Sequence, residues 1–176
     1  MNLRLKQTPG IYMVGFMGSG KSTIGRHLAR RLGWNFFDTD DEIEAAEKMR
    51  IADIFEARGE PEFQRIETEI IRQHVRWIER GRPAVLALGS GAFCEEAIRE
   101  LLANNGVAIW LDCPLETVQR RVAGATPRPP ARDSEAFGKL FQARREQYRY
   151  ADAHIHVQTD DPEVVVDMIL GHPLFK

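Results

Sequence analysis

The chain has 176 residues, with 24 lysines and arginines against 26 aspartates and glutamates, for a formal net charge of −2. That length fits one domain with a substantial core, and 43% hydrophobic with 28% charged residues is ordinary for a globular protein. Such a charge excludes a general electrostatic attraction to nucleic acid or to an anionic membrane. No stretch approaches the ~20 apolar residues of a membrane span, and residues 1–6 lack the apolar run of a signal peptide. Cys94 and Cys113 stand far apart without metal-ligand spacing and read as reduced thiols. The expectation is a cytoplasmic monomer, a single domain over 1–176, with no nucleic-acid or membrane partner.

Strand-like and helix-like stretches alternate along the chain. Ile11-Tyr12-Met13-Val14 is an apolar strand that runs into a glycine-rich loop, and Ile24, Leu28 and Leu32 then mark one face of a helix stopped by Gly33. Asn35-Phe36-Phe37 makes a short strand ending at Asp38. A polar helix starts near Asp41, and Ile51, Ile54 and Phe55 lead a further apolar pattern to Gly59. Residues 61–79 carry Phe63, Ile66, Ile70, Ile71, Val75 and Ile78 at helical spacing, a long amphipathic helix. A continuous apolar strand at 84–88 enters Gly89-Ser90-Gly91. A helix over about 94–103 and a strand at 107–111 come next, then a helix opened by Pro114 that ends near Ala123. Residues 124–133 are an irregular basic loop. An arginine-rich helix from about 134 to 150, a strand at 153–157 and a helix at 161–170 complete the chain. Strands without strong alternation, separated by helices, predict a parallel sheet covered on both faces. Ligands of such sheets bind at the carboxyl ends of the strands. The glycine-rich loop, residues 38–40, residues 89–91 and Asp112 all fall there, so one crevice should gather them.

Residues 15–22, Gly-Phe-Met-Gly-Ser-Gly-Lys-Ser, fit the pattern G-x-x-x-x-G-K-[ST]. Loops of this kind wrap backbone N–H groups around nucleotide phosphates, with the lysine (Lys21) neutralising the outer phosphates and the serine hydroxyl (Ser22) on Mg²⁺. Phosphoryl transfer to an alcohol also needs a carboxylate near the acceptor hydroxyl. Asp38 can orient water around Mg²⁺ while Asp40, two residues on, accepts the hydroxyl proton. A second reading makes Asp40 or Asp41 merely the N-cap of the next helix. Arg120, Arg121, Arg128 and Arg132 fit a mobile segment that closes over phosphates and excludes water, or else a solvated basic loop. His154 and His156 alternate with Ile155 and Val157, which reads as a half-exposed strand face or as a pair of metal ligands. His27, His74 and His172 have no partners in sequence. Trp34, Trp77 and Trp110 read as core or core edge.

The chain resembles the shikimate kinases over about residues 11–170. The resemblance rests on Gly-Phe-Met-Gly-Ser-Gly-Lys-Ser-Thr-Ile-Gly-Arg at 15–26, Phe-Asp-Thr-Asp-Asp-Glu-Ile-Glu at 37–44 and Ile-Ala-Asp-Ile-Phe at 51–55. Gly59-Glu60 with Phe63 and Glu67, Leu-Gly-Ser-Gly-Ala at 88–92, Arg128-Pro129, Arg144, Tyr148 and Ala151-Asp152 continue it. It implies a three-layer α/β/α fold of the P-loop NTPase type, with a five-stranded parallel sheet. A mobile lid is implied at about 120–134 and a substrate-binding helical part at about 40–80. The implied reaction is transfer of the ATP γ-phosphate to the 3-hydroxyl of shikimate, in the route to chorismate and aromatic amino acids. By position, Gly18, Ser19, Gly20, Lys21, Ser22 and Thr23 would bind ATP, with Ser22 and Asp38 at Mg²⁺. Asp40 would contact the shikimate hydroxyls, Arg121 the nucleotide and Arg128 the phosphates; Arg144 would pair with the shikimate carboxylate. Lys21, Asp40 and Arg128 are thereby the implied catalytic residues, and Gln64, Ser90 and Gly91 join the substrate wall.

Two positions on that wall depart from the family pattern. Gln64 stands where an arginine usually follows Phe63, and Ser90 where the middle of three glycines is usual. A neutral amide makes no bidentate ion pair. With charged hydrogen bonds contributing about 1.5–3 kcal/mol, its loss weakens acceptor binding roughly tenfold to a hundredfold. Arg65 points ~100° away around the helix and is no simple replacement. On the nucleotide side, Asp160 sits where a basic residue is common. Gln64 and Ser90 motivate one alternative, a kinase of the same fold for another small hydroxy acid of the gluconate type; a second, of a different class, is a nucleotide-binding regulatory module without catalysis.

Overall fold

The computed structural model describes residues 10–124 and 134–176. Arg128, Arg132 and most of the expected lid therefore lie outside the described residues. Five strands form one sheet: β1 (Gly10–Val14), β2 (Asn35–Asp38), β3 (Ala84–Ala87), β4 (Val107–Asp112) and β5 (Ala153–His156). Their order is β2-β3-β1-β4-β5 and every pairing is parallel. The helices are α1 (Lys21–Leu32), α2 (Thr39–Glu47), α3 (Ile51–Arg58), α4 (Glu60–Glu79), α5 (Glu96–Ala103), α6 (Leu115–Ala123), α7 (Ser134–Tyr148) and α8 (Pro162–Leu170), with short 3₁₀ turns at Ala92–Cys94 and Pro173–Phe175.

Each expected element is present, with ends shifted by up to two residues. Polar capping decides several of these ends. The helix expected near Asp41 starts at Thr39 because the Asp38 carboxylate takes the N-cap, accepting from the backbone N–H of Asp40 and Asp41. Asp161 caps α8 in the same way, accepting from Glu163 N–H at 3.0 Å.

Every residue of β1, β3 and β4 is buried, as strands covered on both faces must be. Helix α1 packs on β1, β2, β3 and α8. Helices α4, α5 and α7 meet around the Ala92–Cys94 turn, a second packed group that completes the three-layer arrangement. The edge strand β5 buries Ala153 and Ile155 and turns His154 and His156 outward.

The apolar residues divide into two cores, and α4 belongs to both. Its second half places Ile71, Val75 and Ile78 in the main core with Leu28, Leu86, Ile109 and Ile155. Its first half places Phe63 and Ile66 in a smaller core with Ile43 of α2 and Ile51 and Ile54 of α3. One continuous helix therefore ties a small helical layer to the sheet. His74, 1% exposed, adds a polar tie, with Nε2 at 2.9 Å from the Glu42 carboxylate and its ring 4.5 Å from that of Phe37.

Tyr12 lies wholly buried in β1, and its hydroxyl donates to Asn105 O at 2.8 Å. Burial holds this phenol protonated by pushing its pKa up, with the Glu79 charge adding to the effect. Tyr12→Phe strands that carbonyl, so urea unfolding should show a loss of about 1–2 kcal/mol with an unchanged m-value.

Candidate functional site

The loop between β1 and α1 is shaped by glycines. Gly18 and Gly20 have φ of 80° and 96°, and Cβ atoms there would lie 3.2 Å from Val118 O and 3.1 Å from Ile24 Cδ1. Lys21 folds back over the loop, its Nζ donating to Gly15 O at 2.9 Å and Phe16 O at 3.0 Å. Ser19 is buried, and its hydroxyl has no hydrogen-bond partner among the described residues. Glycine-shaped loop backbone running into the N-terminus of α1, with Lys21 over it, fits an anion.

Ser22, at the second position of α1, hydrogen-bonds the Oδ2 of Asp38. The other oxygen of Asp38 caps α2. This aspartate thus fastens the loop to β2 and sets the first turn of α2. Hydroxyl and carboxylate together form a hard, all-oxygen pair, the donor chemistry that Mg²⁺ selects.

Arg121 crosses over the loop from α6. One guanidinium nitrogen donates to Gly18 O at 2.9 Å and the other to Asp160 at 2.7 Å. The hydrogen bond and charge of Arg121 hold the Asp160 carboxyl below its usual range. Asp160, the departure noted on the nucleotide side, therefore binds the arginine beside the loop. A cavity of about 260 Å³ opens here between Gly20, Thr23, Arg121, Thr159, Asp160 and Pro162.

A second cavity of about 290 Å³ lies on the other side of the loop, under the small helical layer. Gln64, Ser90, Gly91 and Arg144 line it, together with Met17, Phe55, Glu60, Phe63, Glu67 and Leu140. Arg144 Nη1 donates to the Ser90 hydroxyl at 2.6 Å, and its guanidinium lies 5.7 Å from the centre of the Phe16 ring. Tyr148 donates to Ser90 O at 2.5 Å, so both ends of Ser90 are held from α7. Gln64 Nε2 donates to Glu60 at 3.4 Å. Arg65 is exposed and makes two hydrogen bonds to Glu62, outside the cavity lining.

Asp40 does not line this cavity. It stands at its back, beside Glu67, where a Cβ on Gly89 would meet Glu67 Oε2 at 2.4 Å and Asp40 Oδ1 at 3.0 Å. Two carboxylates thus close on a bare backbone position. Glu67, 4% exposed on a helix, is a motif residue to which the sequence gave no site role, since one acid in an amphipathic helix reads as its polar face. The available signal was position: Glu67 falls one residue from Ile66 and four from Phe63, on the apolar stripe.

Asp112 and the cap of α2 depart from expectation. Asp112, at the carboxyl end of β4, lines neither cavity and instead binds Arg145 and His154. The cap of α2 is Asp38, neither Asp40 nor Asp41. On α7, Arg144 reaches the crevice and Arg145 meets Asp112, while Arg149, just past its end, pairs with Glu146 at the surface. His27 finds Glu163 at 2.6 Å and His74 finds Glu42, partners 136 and 32 residues away. Burial pushes both cysteine thiols up, which leaves no activated nucleophile at Cys94 or Cys113.

A parallel α/β sheet with an anion-binding loop after β1, a carboxylate at the end of β2 and an acceptor-sized cavity alongside defines a P-loop kinase. Comparison with known proteins narrows this. The family model for shikimate kinase matches residues 17–172. A shikimate kinase of Persephonella marina is 39% identical, the match covering 92% of this chain and 96% of that one. One from Brucella canis is 40% identical over 86% and 74%. Among solved structures, shikimate kinase from Acinetobacter baumannii in complex with shikimate superposes with a TM-score of 0.87 at 33% identity, covering 94% and 93%. A gluconokinase from Sinorhizobium meliloti, 17% identical with a TM-score of 0.56 over 92% and 89%, shares the fold alone. The chain belongs to the shikimate kinase family, whose members are ATP-dependent kinases that phosphorylate a small-molecule alcohol. Among the described residues no helix is long and apolar enough to cross a membrane.

Gly89→Ala forces a methyl group against two carboxylates. Denaturant titration should show a loss of about 1–3 kcal/mol, far above the cost of Gly→Ala at an open surface position.

Proposed function

We propose that this protein phosphorylates the 3-hydroxyl of shikimate with ATP and Mg²⁺, giving shikimate 3-phosphate and ADP in the route to chorismate and aromatic amino acids. It would act as a cytoplasmic monomer, one kinase domain over 1–176. Residues of about 40–80 would bind the acceptor and about 120–134 would form the lid. The observation that carries this reading is the guanidinium of Arg144 in a small cavity beside the phosphate loop. A cavity of about 290 Å³ is at the small end for ligand sites, and a half-buried cation at its wall suits the carboxylate of a compact hydroxy acid.

In this reading residues 18–23 cradle the ATP phosphates on backbone N–H groups, and Lys21 exchanges its loop carbonyls for phosphate oxygens. Ser22 and Asp38 would hold Mg²⁺, which when bound neutralises phosphate charge. Arg121 lies over the loop for the nucleotide, and Arg128, outside the described residues, is assigned to the phosphates. Asp40 takes the proton of the acceptor hydroxyl as that oxygen bonds to the γ-phosphorus and the bond from phosphorus to the ADP oxygen breaks. Glu67 and Gly91 complete the wall.

Ser90 has a definite part here. Its hydroxyl accepts one N–H of Arg144, which orients the guanidinium at the cavity wall. That partly offsets the neutral Gln64, which is engaged with Glu60.

An ADP-release assay with shikimate and gluconate tests the reading. Turnover with shikimate is expected; release with gluconate alone would select the sugar-acid alternative, and ATP binding without turnover on either acceptor would select the regulatory one. Asp40→Asn should lower kcat by about 10²–10⁴-fold with ATP affinity retained; unchanged turnover would remove Asp40 as the base. Gln64→Arg should lower the KM for shikimate by roughly tenfold to a hundredfold and leave the KM for ATP in place.

A further inference from the structure

Outside both cavities, three ligating side chains converge at the edge of the sheet. His154 and His156 sit two residues apart on β5, so both point to the same, outward face. Parallel pairing places Asp112 of β4 directly beside His156 and Trp110 beside His154. His154 Nε2 lies 2.8 Å from Asp112 Oδ2, His156 Nδ1 lies 3.6 Å from the same oxygen, and all three ligand atoms are within 4.8 Å of one another. Donors bound at about 2.0–2.1 Å around a tetrahedral Zn²⁺ stand roughly 3.3–3.5 Å apart, so small side-chain shifts bring these three onto one ion.

The surroundings have what such a site needs beyond its ligands. Metal-binding carboxylates and imidazoles are oriented by outer partners. The second oxygen of Asp112 is held by Arg145, whose guanidinium is itself braced over the rings of Trp110 and Phe141 at 5.0 and 5.5 Å. His154 is stacked on Trp110 with ring centres 4.0 Å apart and planes 14° from parallel. Asp112 is 8% exposed, whereas the side chains of His154 and His156 are 41% and 69% exposed. A buried carboxylate is thus overlaid by two accessible imidazoles with an entry path from solvent. Among the described residues no other group of three histidine, cysteine or acidic side chains meets the same closeness.

We propose that Asp112, His154 and His156 form a binding site for a borderline divalent transition metal, Zn²⁺ being the natural occupant, with water in the fourth position. Two nitrogens and one carboxylate oxygen suit Zn²⁺ and reject Mg²⁺, which demands an octahedron of oxygens. The site is separate from the Ser22–Asp38 pair and shares no residue with either cavity. Arg145, a neighbouring positive charge, keeps the affinity below that of a closed structural zinc centre.

The test is Zn²⁺ titration by calorimetry of the nucleotide-free protein in excess Mg²⁺, which occupies oxygen-only sites. Co²⁺ absorption provides a spectroscopic readout. One equivalent is expected to bind, with Co²⁺ giving the intense visible bands of four-coordination. His156→Ala, a change at a well-exposed side chain, should weaken Zn²⁺ binding by more than the roughly tenfold to hundredfold that loss of an outer partner costs. His154→Ala should do the same and abolish the Co²⁺ bands, with circular dichroism confirming the fold of each variant. Failure of the wild-type protein to bind Zn²⁺, or equal binding by both variants, would overturn the assignment.

Discussion

Strand β3 enters the sheet between β1 and β2 although it follows both in the chain, and the site depends on that insertion. Its parallel ladders to Gly10–Met13 on one side and Asn35–Asp38 on the other bring residues 89–91 out between the phosphate loop and Asp40. Without β3 in that slot, Ser90 and Gly91 would not reach the cavity they line. The strand is held there by burial on both faces, which no exposed register offers to Ala-Val-Leu-Ala.

Charge around the site is arranged by side chains with two duties. Asp38 binds Ser22 with one oxygen and caps α2 with the other, so the helix that carries Asp40 is positioned by the residue that meets the phosphate loop. Arg121 joins the loop backbone to Asp160, and Ser90 joins α7 to the cavity wall through both its hydroxyl and its carbonyl. Helix α4 performs the same linking role in apolar terms, with its first half in the small core and its second in the large one. Nucleotide side, acceptor side and sheet are therefore mechanically connected through few residues.

The departures Gln64 and Ser90 acquire a common meaning in three dimensions. Both line the cavity that holds Arg144. On the proposed reading, a neutral residue at 64 weakens the hold on an anionic acceptor, while the Ser90 hydroxyl orders Arg144. Arg65 stays outside this exchange because the turn of the helix gives it to Glu62.

The sequence by itself determined the strand and helix succession, the phosphate loop and the class of fold, since these rest on periodicities and glycine positions that are local. It also marked Gln64, Ser90 and Arg144 as one wall, through motif position. It left Asp40 and Asp41 equally eligible as caps, left Glu67 as a motif position without a role, and left His154 and His156 as a strand face without a third partner. Tertiary structure decided those points for one reason. Each depends on which residue from a distant strand or helix stands opposite: Gly89 against Asp40 and Glu67, Glu42 against His74, Asp112 against both histidines. Strand pairing and helix packing fix such juxtapositions across dozens of residues, and no local pattern carries them.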